Sequence, residues 1–172
     1  HISSVNTDNY MGALQATSLL IRDKCDILIH INVNVNKSAP AYDRIWAFQA
    51  TCEEYHVPYD IDLSVTGASY HELLDVIREI FNKIESKYPD QKKGIFLAND
   101  TYANMFLNLI FQKYGTFPST YEIVGFDNSP IASEAILPIT TIGQQIDVIA
   151  KTAMDLLVQQ MEEQKKRVPK PL

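Results

Sequence analysis

Residues 123–144 read IVGFDNSPIASEAILPITTIGQ, and this stretch decides the fold. A run of four apolar or small residues leads directly into Asp127 and Asn128, and a loop with two prolines follows. An unbroken apolar run is typical of a parallel strand that is covered on both faces. Polar side chains just beyond such a strand lie at the edge where open α/β sheets bind their ligands. The stretch therefore predicts a parallel sheet with a binding site at its carboxyl edge.

Helical and strand patterns alternate along the rest of the chain. Apolar residues at helical spacing predict helices over residues 8–22, 42–55, 69–87, 101–114 and 144–164. Strands are predicted at 26–31, 57–65 and 93–100, and 120–128 is the last in the pattern. Residues 57–65 alternate strictly, which indicates a strand that is covered on one face only or lies near an edge of the sheet. Alternation with short connections predicts an α/β fold with three αβα layers and a mainly parallel sheet.

Two local signals refine this prediction. Ser69, followed three residues later by Glu72, forms a capping box and marks a helix start. His30 lies within the apolar run ILIHI, where a packed or hydrogen-bonded strand histidine is expected.

Composition and charge limit the classes of protein. The 172 residues are 46% hydrophobic and 21% charged, which is typical of a globular domain. A net charge of −6 argues against a broad nucleic-acid surface, and the basic residues 165–167 are interpreted as a solvated helix end. No apolar run reaches the roughly 20 residues that span a bilayer. Cys25 and Cys52 are interpreted as free cysteines of a cytoplasmic protein.

The sequence favours binding without chemistry. Asp100 and Asp127 could form an acid/base pair, but carboxylates at strand ends are common. The four histidines are scattered, without the spacing of a zinc site. The motifs of a nucleophile elbow, a dinucleotide-binding turn and a phosphate-binding loop are missing from the sequence. We therefore predict no catalytic residue, no metal and no cofactor.

Polar residues follow three of the predicted strands. They are the 32–38 loop, Asn99 with Asp100, and Asp127 with Asn128; Tyr102 and Phe126 lie beside them. Together they predict a site for a small polar or polyhydroxylated ligand. The alternative is that Asp100 and Asp127 only cap the following helix or turn.

Several motifs in this order resemble one family. FLAND with TYAN, then YEIVGFDN and AILPITTIGQ, resemble the effector-binding domain of LacI/GalR (lactose-repressor-type) transcriptional regulators. RIWAFQ is similar to the Arg-x-x-Gly-Phe helix of the family, with Ala47 where glycine is usual. The resemblance covers almost the whole chain and implies a lobe of the type I periplasmic-binding-protein-like fold.

The resemblance also implies ligand-binding residues. Arg44 is expected to reach into the cleft, although an exposed helix arginine is the alternative. Asn99 and Asp127 would contact ligand hydroxyls, and Gln144 would line the cleft after the paired threonines. Phe126 would supply an apolar wall; Trp46 could do the same but is assigned first to the core.

The resemblance implies a function for the parent protein. Residues 1–140 are expected to form the C-terminal lobe, and 141–172 a crossover helix and tail of a mostly absent N-terminal lobe. The domain is expected to bind a small polar effector, a sugar or sugar derivative, with DNA contacted only through a missing helix-turn-helix headpiece. A homodimer is expected through 102–111 and 131–136. The alternative is a sugar-binding solute-binding protein or receptor ectodomain of the same fold, and a sugar-modifying enzyme is a third class.

Overall fold

The computed structural model describes residues 8–127 and 129–142. In these residues five helices alternate with five strands. The elements are α1 (Asn9–Arg22), β1 (Ile27–Ile31), α2 (Tyr42–Glu54), β2 (Tyr59–Asp62), α3 (Tyr70–Lys87), β3 (Lys93–Leu97), α4 (Asp100–Tyr114), β4 (Tyr121–Phe126), α5 (Pro130–Glu134) and β5 (Thr140–Ile142).

The strands form one parallel sheet in the order β2-β1-β3-β4-β5. The chain leaves β1 through α2 to reach β2 on one side, then crosses through α3 to β3 on the other side of β1. The strand order therefore reverses between β1 and β3. In open α/β sheets, ligands bind beyond the carboxyl ends of the strands at such a switch point.

Helices cover both faces of the sheet. On one face α1 and α2 pack around a core that includes Leu20, Phe48, Phe96 and Phe126. On the opposite face α3 and α4 pack against a larger apolar cluster from the strands. Every residue of β1 and β3 is buried, as expected for central parallel strands. The predicted three-layer α/β fold is confirmed.

The edge strand β2 carries paired charges. Asp60 accepts a hydrogen bond from Lys87 at 2.9 Å, and Lys83 lies 3.4 Å from Asp62. All four residues of β2 are half-buried, unlike the fully buried β1 beside it. The predicted edge position is confirmed, although the strand is shorter than residues 57–65. Paired charges on an edge strand oppose further strand addition.

Three sequence predictions were wrong or incomplete. The last strand of the described residues is β5 rather than β4; the sequence did not reveal β5 because three residues are too few to show a pattern. Residues 130–134 form α5 rather than a loop. Trp46 is 58% exposed rather than in the core; its ring meets Tyr10 edge-on at 5.4 Å. The predicted lobe boundary after residue 140 stays a prediction. Gln144, Asn128 and the predicted helix 144–164 lie outside the described residues.

The start of α3 follows the predicted capping box. The Ser69 hydroxyl accepts a hydrogen bond from the amide of Glu72 at 3.2 Å. The Glu72 carboxylate reaches back to the amide of Ala68 at 2.8 Å, one residue earlier than in the usual box. Two amide groups at the helix start are thereby satisfied.

His30 is a packed strand histidine, as predicted. Its ring stacks on Phe96 with centroids 4.4 Å apart, and Nδ1 lies 2.9 Å from the Phe96 carbonyl oxygen. A neutral ring that donates from Nδ1 leaves Nε2 free to accept from the Asn32 amide at 3.2 Å. Burial lowers the pKa of His30 to about 3, so the ring is neutral at physiological pH.

A carboxyl group whose pKa is shifted in the opposite direction to that of His30 lies at the amino end of the sheet. Burial, followed by a hydrogen bond to Asp23, raises the pKa of Glu122 on β4 to about 7. Lys92, 3.9 Å away, opposes this rise. Cys25 also contacts the carboxyl, at 3.7 Å. His30 and Glu122 therefore titrate over overlapping pH ranges with opposite effects on stability.

We expect Glu122→Gln to make the acid destabilisation of the fold steeper. The His30 contribution is complete above a pH of about 6.5 and is lost as the pH falls towards 3, because the unfolded chain takes up the proton first. The Glu122 contribution is complete below about 4.5 and is lost as the pH rises through 7, so it offsets the loss from His30 between these values. Without it, the free energy of unfolding should fall by up to about 1.4 kcal/mol more per pH unit.

Urea unfolding at pH 7, 6 and 5 measures this difference. Glu79→Gln, which removes an exposed glutamate from α3, is the matched control and should keep the wild-type slope. Parallel pH profiles for wild type and Glu122→Gln would show that the Glu122 carboxyl is not protonated in the fold.

Candidate functional site

Arg44 lies in the first turn of α2, at the carboxyl edge of the sheet. Its Nη1 donates to the Ala98 carbonyl at 2.6 Å, just beyond β3, and its Nε donates to Asn9 Oδ1 at 2.9 Å, at the start of α1. The guanidinium therefore joins two helices and the central strand beside the β1–β3 switch point. Only 16% of the Arg44 side chain is exposed. The alternative of a freely exposed helix arginine does not describe this geometry.

The Phe126 ring lies directly beneath Arg44. The guanidinium carbon is 3.7 Å from the ring centroid, a cation–π geometry that contributes about 0.5–2 kcal/mol. Phe126 is fully buried, and α1 approaches it closely through Gly12. A Cβ at Gly12 would lie 2.8 Å from the ring, so the close approach requires glycine. Phe126 is at the predicted place but supports Arg44 from below rather than forming an open wall.

Asp127 follows Phe126 and faces the free side of the guanidinium. Its Oδ1 is 3.4 Å from Arg44 Nη2, and half of its side chain is exposed. Burial lowers the pKa of Arg44, and the Asp127 carboxylate raises it again, so the guanidinium keeps its charge. An ion pair this long and this exposed contributes little to stability. The carboxylate is therefore accessible as a hydrogen-bond acceptor.

Asn99 and Asp100 follow β3 at the same edge. Asn99 Oδ1 accepts a hydrogen bond from the amide of Tyr102 at 2.9 Å and caps α4, which leaves its NH2 group as a donor. Asp100 is 1% exposed and accepts a hydrogen bond from the amide of Ser129 at 2.7 Å. Asn99 rather than Asp100 therefore caps α4, and Asp100 instead holds the turn before α5.

The structure brings most of the predicted site residues together. Arg44, Phe126 and Asp127 are in direct contact, and Asn99 is the neighbour of the Ala98 carbonyl that holds Arg44. Their roles towards a ligand stay predictions. Sequence reasoning missed Asn9. Its position as the first residue of a helix at the carboxyl edge was the available signal, but no local pattern showed that α1 begins beside α2.

The described residues also form a groove at the opposite end of the sheet. This shallow groove of about 960 Å³ lies by the amino ends of β1 and β2 and includes Asp26 and Glu53. Both acids are already engaged, since Asp26 accepts from the Lys92 amide at 2.8 Å and Glu53 from the Tyr59 hydroxyl at 2.8 Å. Its volume favours this groove as a ligand site. The switch point and the exposed carboxylate of Asp127 favour the edge around Arg44 instead.

Residues 8–127 and 129–142 lack two further features. No group of three His, Cys, Asp or Glu side chains there is arranged to hold a metal ion. No helix in that part of the chain has the length and apolar character needed to cross a bilayer.

The sheet order, the two helical layers and the polar edge at the switch point define one lobe of the type I periplasmic-binding-protein-like fold. The chain belongs to the periplasmic binding protein-like domain family, whose model matches residues 19–172. This agrees with the fold that the sequence motifs implied.

Relatives with assigned roles are sugar operon repressors. The chain is 27% identical to the ribose operon repressor of Halalkalibacterium halodurans, over 94% of this chain and 46% of the repressor. It is also 27% identical to the sucrose operon repressor of Streptococcus mutans, over 95% of this chain and 48% of that protein. The chain thus spans less than half the length of either relative. Both relatives are repressors by name.

Solved structures support the fold. A LacI-family transcriptional regulator from Enterococcus faecium with bound ribose superposes with a TM-score of 0.65 at 19% identity. The match covers 90% of this chain and 55% of the regulator.

We expect the backbone at Asp127 to limit substitutions there. Its φ of 85° is a conformation that glycine adopts freely and β-branched residues strongly resist. Asp127→Gly should leave the free energy of unfolding within about 1 kcal/mol of wild type, because relief of strain offsets the added flexibility of the unfolded chain. Asp127→Val should lower it by about 2 kcal/mol or more. Urea unfolding at pH 7 measures both, and equal losses would show that the carboxylate, not the backbone, sets the stability.

Proposed function

We propose that this chain is the effector-sensing domain of a DNA-binding transcriptional regulator and that its effector is a small sugar. The observation that carries the proposal is the position of the Arg44 guanidinium. Fixed donors and the exposed Asp127 acceptor stand together at the switch point, where this fold binds ligands.

The chemistry of the edge suits adjacent hydroxyl groups. A sugar hydroxyl both donates and accepts, so it can donate to the Asp127 carboxylate and accept from Arg44. The NH2 group of Asn99, free of the helix cap, supplies a further donor. Since the exposed Arg44–Asp127 pair contributes little to stability, a hydroxyl can enter between the two groups at small cost.

The relatives favour a regulator over a solute-binding protein. The two relatives described above are, by their names, repressors of the ribose and sucrose operons. We place the regulator in the cytoplasm and assign DNA contact to another segment of the full-length protein, in keeping with the acidic charge of this one. Sugar would bind between this lobe and a second lobe and shift the equilibrium between two states of the regulator.

We also propose that the protein is a homodimer. Ile131, Ile136 and Leu137, in and after α5, are 36%, 65% and 41% exposed. Three large apolar side chains so close in sequence suit a partner surface. The apolar residues of α4 contribute less than the sequence suggested, because most of them are buried in the core of this chain.

We expect the full-length protein to bind a simple sugar through Arg44. D-Ribose and sucrose are the first ligands to test by isothermal titration calorimetry, followed by other pentoses and hexoses. Arg44→Ala should weaken binding by about 10- to 100-fold, because it removes charge-assisted hydrogen bonds worth about 1.5–3 kcal/mol. Addition of the sugar should change the affinity for operator DNA, measured by fluorescence anisotropy.

Arg78→Ala is the matched control for Arg44→Ala. Arg78 is an exposed arginine on α3 that pairs with Asp75 at 3.0 Å, so sugar binding should be unaffected. A sugar that binds equally well to wild type and Arg44→Ala would remove the assigned site. A sugar that binds without any change in DNA affinity would favour the solute-binding alternative.

We expect Ile136→Glu to dissociate the dimer. A charge in the middle of the proposed apolar surface would have to be buried without a partner, which is strongly unfavourable. Sedimentation velocity of the full-length protein measures the effect. Tyr70→Glu, on the exposed start of α3, replaces another exposed large side chain and should leave the dimer intact. A dimer that survives Ile136→Glu would place the interface elsewhere.

A further inference from the structure

We propose that Asp100 is a positioning residue, which holds the chain around Asp127 so that the Asp127 carboxylate stays beside Arg44. The inference deepens the proposed function, because it rests on the Arg44 edge as the ligand site. It concerns a residue that itself lies beneath the site.

Asp127 needs support because its backbone is strained. Its φ of 85° is one that residues other than glycine rarely adopt, because an L side chain then crowds the backbone. Its contact with Arg44, at 3.4 Å and half exposed, is too weak to enforce that conformation. Strained residues persist only where neighbouring contacts fix them. The contacts that fix Asp127 must therefore come from elsewhere.

Two backbone anchors lie on either side of the strained residue. The amide of Asp127 donates to the carbonyl of Ile142 on β5 at 2.9 Å. Two residues later, the amide of Ser129 donates to Asp100 Oδ2 at 2.7 Å. Asp100, on a different helix, therefore provides the second anchor.

The surroundings of Asp100 fit this role and exclude direct contact with a ligand. Only 1% of the residue is exposed, so no bound molecule can reach it. Its Oδ1 is buried without a hydrogen-bond partner among the residues described, and its Oδ2 is committed to Ser129. Gly125 makes the room: a Cβ there would overlap Asp100 Oδ1. Gly125 and Asp100 are therefore packed against each other, and the contact requires glycine at position 125.

A second role for Asp100 would be purely electrostatic. It is an acid in the first turn of α4, where a negative charge stabilises the helix. The two roles make different demands on the side chain. Anchoring needs an oxygen acceptor, which asparagine retains, whereas the helix terminus benefits from the charge, which asparagine lacks.

Asp100→Asn and Asp100→Ala in the full-length protein separate these roles. Hydrogen–deuterium exchange of a peptide that includes Asp127 and Ser129 reports on the anchor without any ligand. We expect exchange at least 10-fold faster in Asp100→Ala and within threefold of wild type in Asp100→Asn. Titration with D-ribose should show a Kd at least 10-fold higher for Asp100→Ala and within threefold for Asp100→Asn.

Thr51→Ala controls for loss of a buried polar group. Thr51 on α2 is 2% exposed and bonds only to the Ala47 carbonyl at 2.7 Å among the contacts described, so this variant should change neither readout even if it lowers stability. Equal effects of Asp100→Asn and Asp100→Ala, or unchanged exchange in Asp100→Ala, would overturn the positioning role. If D-ribose binds none of the proteins, the proposed response to ribose fails, and exchange alone decides the role of Asp100.

Discussion

The contact between the Arg44 guanidinium and the Ala98 carbonyl is the constraint on which the carboxyl edge depends. It ties the first turn of α2 to the end of the central strand β3, next to the point where the strand order reverses. Asn9 and the ring of Phe126 complete the seat, so the charge is fixed before any ligand arrives. A side chain ordered during folding does not have to be ordered again on binding, which favours affinity.

The edge combines rigid and strained parts. Arg44 has strong partners on three sides, whereas Asp127 keeps an unusual backbone through hydrogen bonds at its own amide and at Ser129. Strain of this kind is found at binding sites, where a group must point at a ligand rather than into the core. The fold thus offers a fixed cation with an acceptor that stays accessible beside it.

Sequence alone predicted the sheet, its layers and much of the edge, but not the finer contacts. The apolar runs of β1, β3 and β4 are long enough to show burial on both faces, and the alternation at β2 showed an edge. The three residues of β5 are too few to carry a pattern. Trp46 was assigned to the core because of its size, but the size of a side chain does not reveal on which side of a helix it lies. Asn9 and Asp100 act through contacts over 35 and 29 positions, which only the folded chain brings together.

The charge pairs on β2 have a consequence for self-association. A parallel sheet with an open border could recruit the same strand from another molecule and grow into fibrils. Asp60 and Asp62, held by lysines of α3, put fixed charges along that border, so an incoming backbone would have to strip them of their counter-charges and of water. Strand addition at the β2 side is thereby disfavoured, which protects the protein against polymerisation through this border.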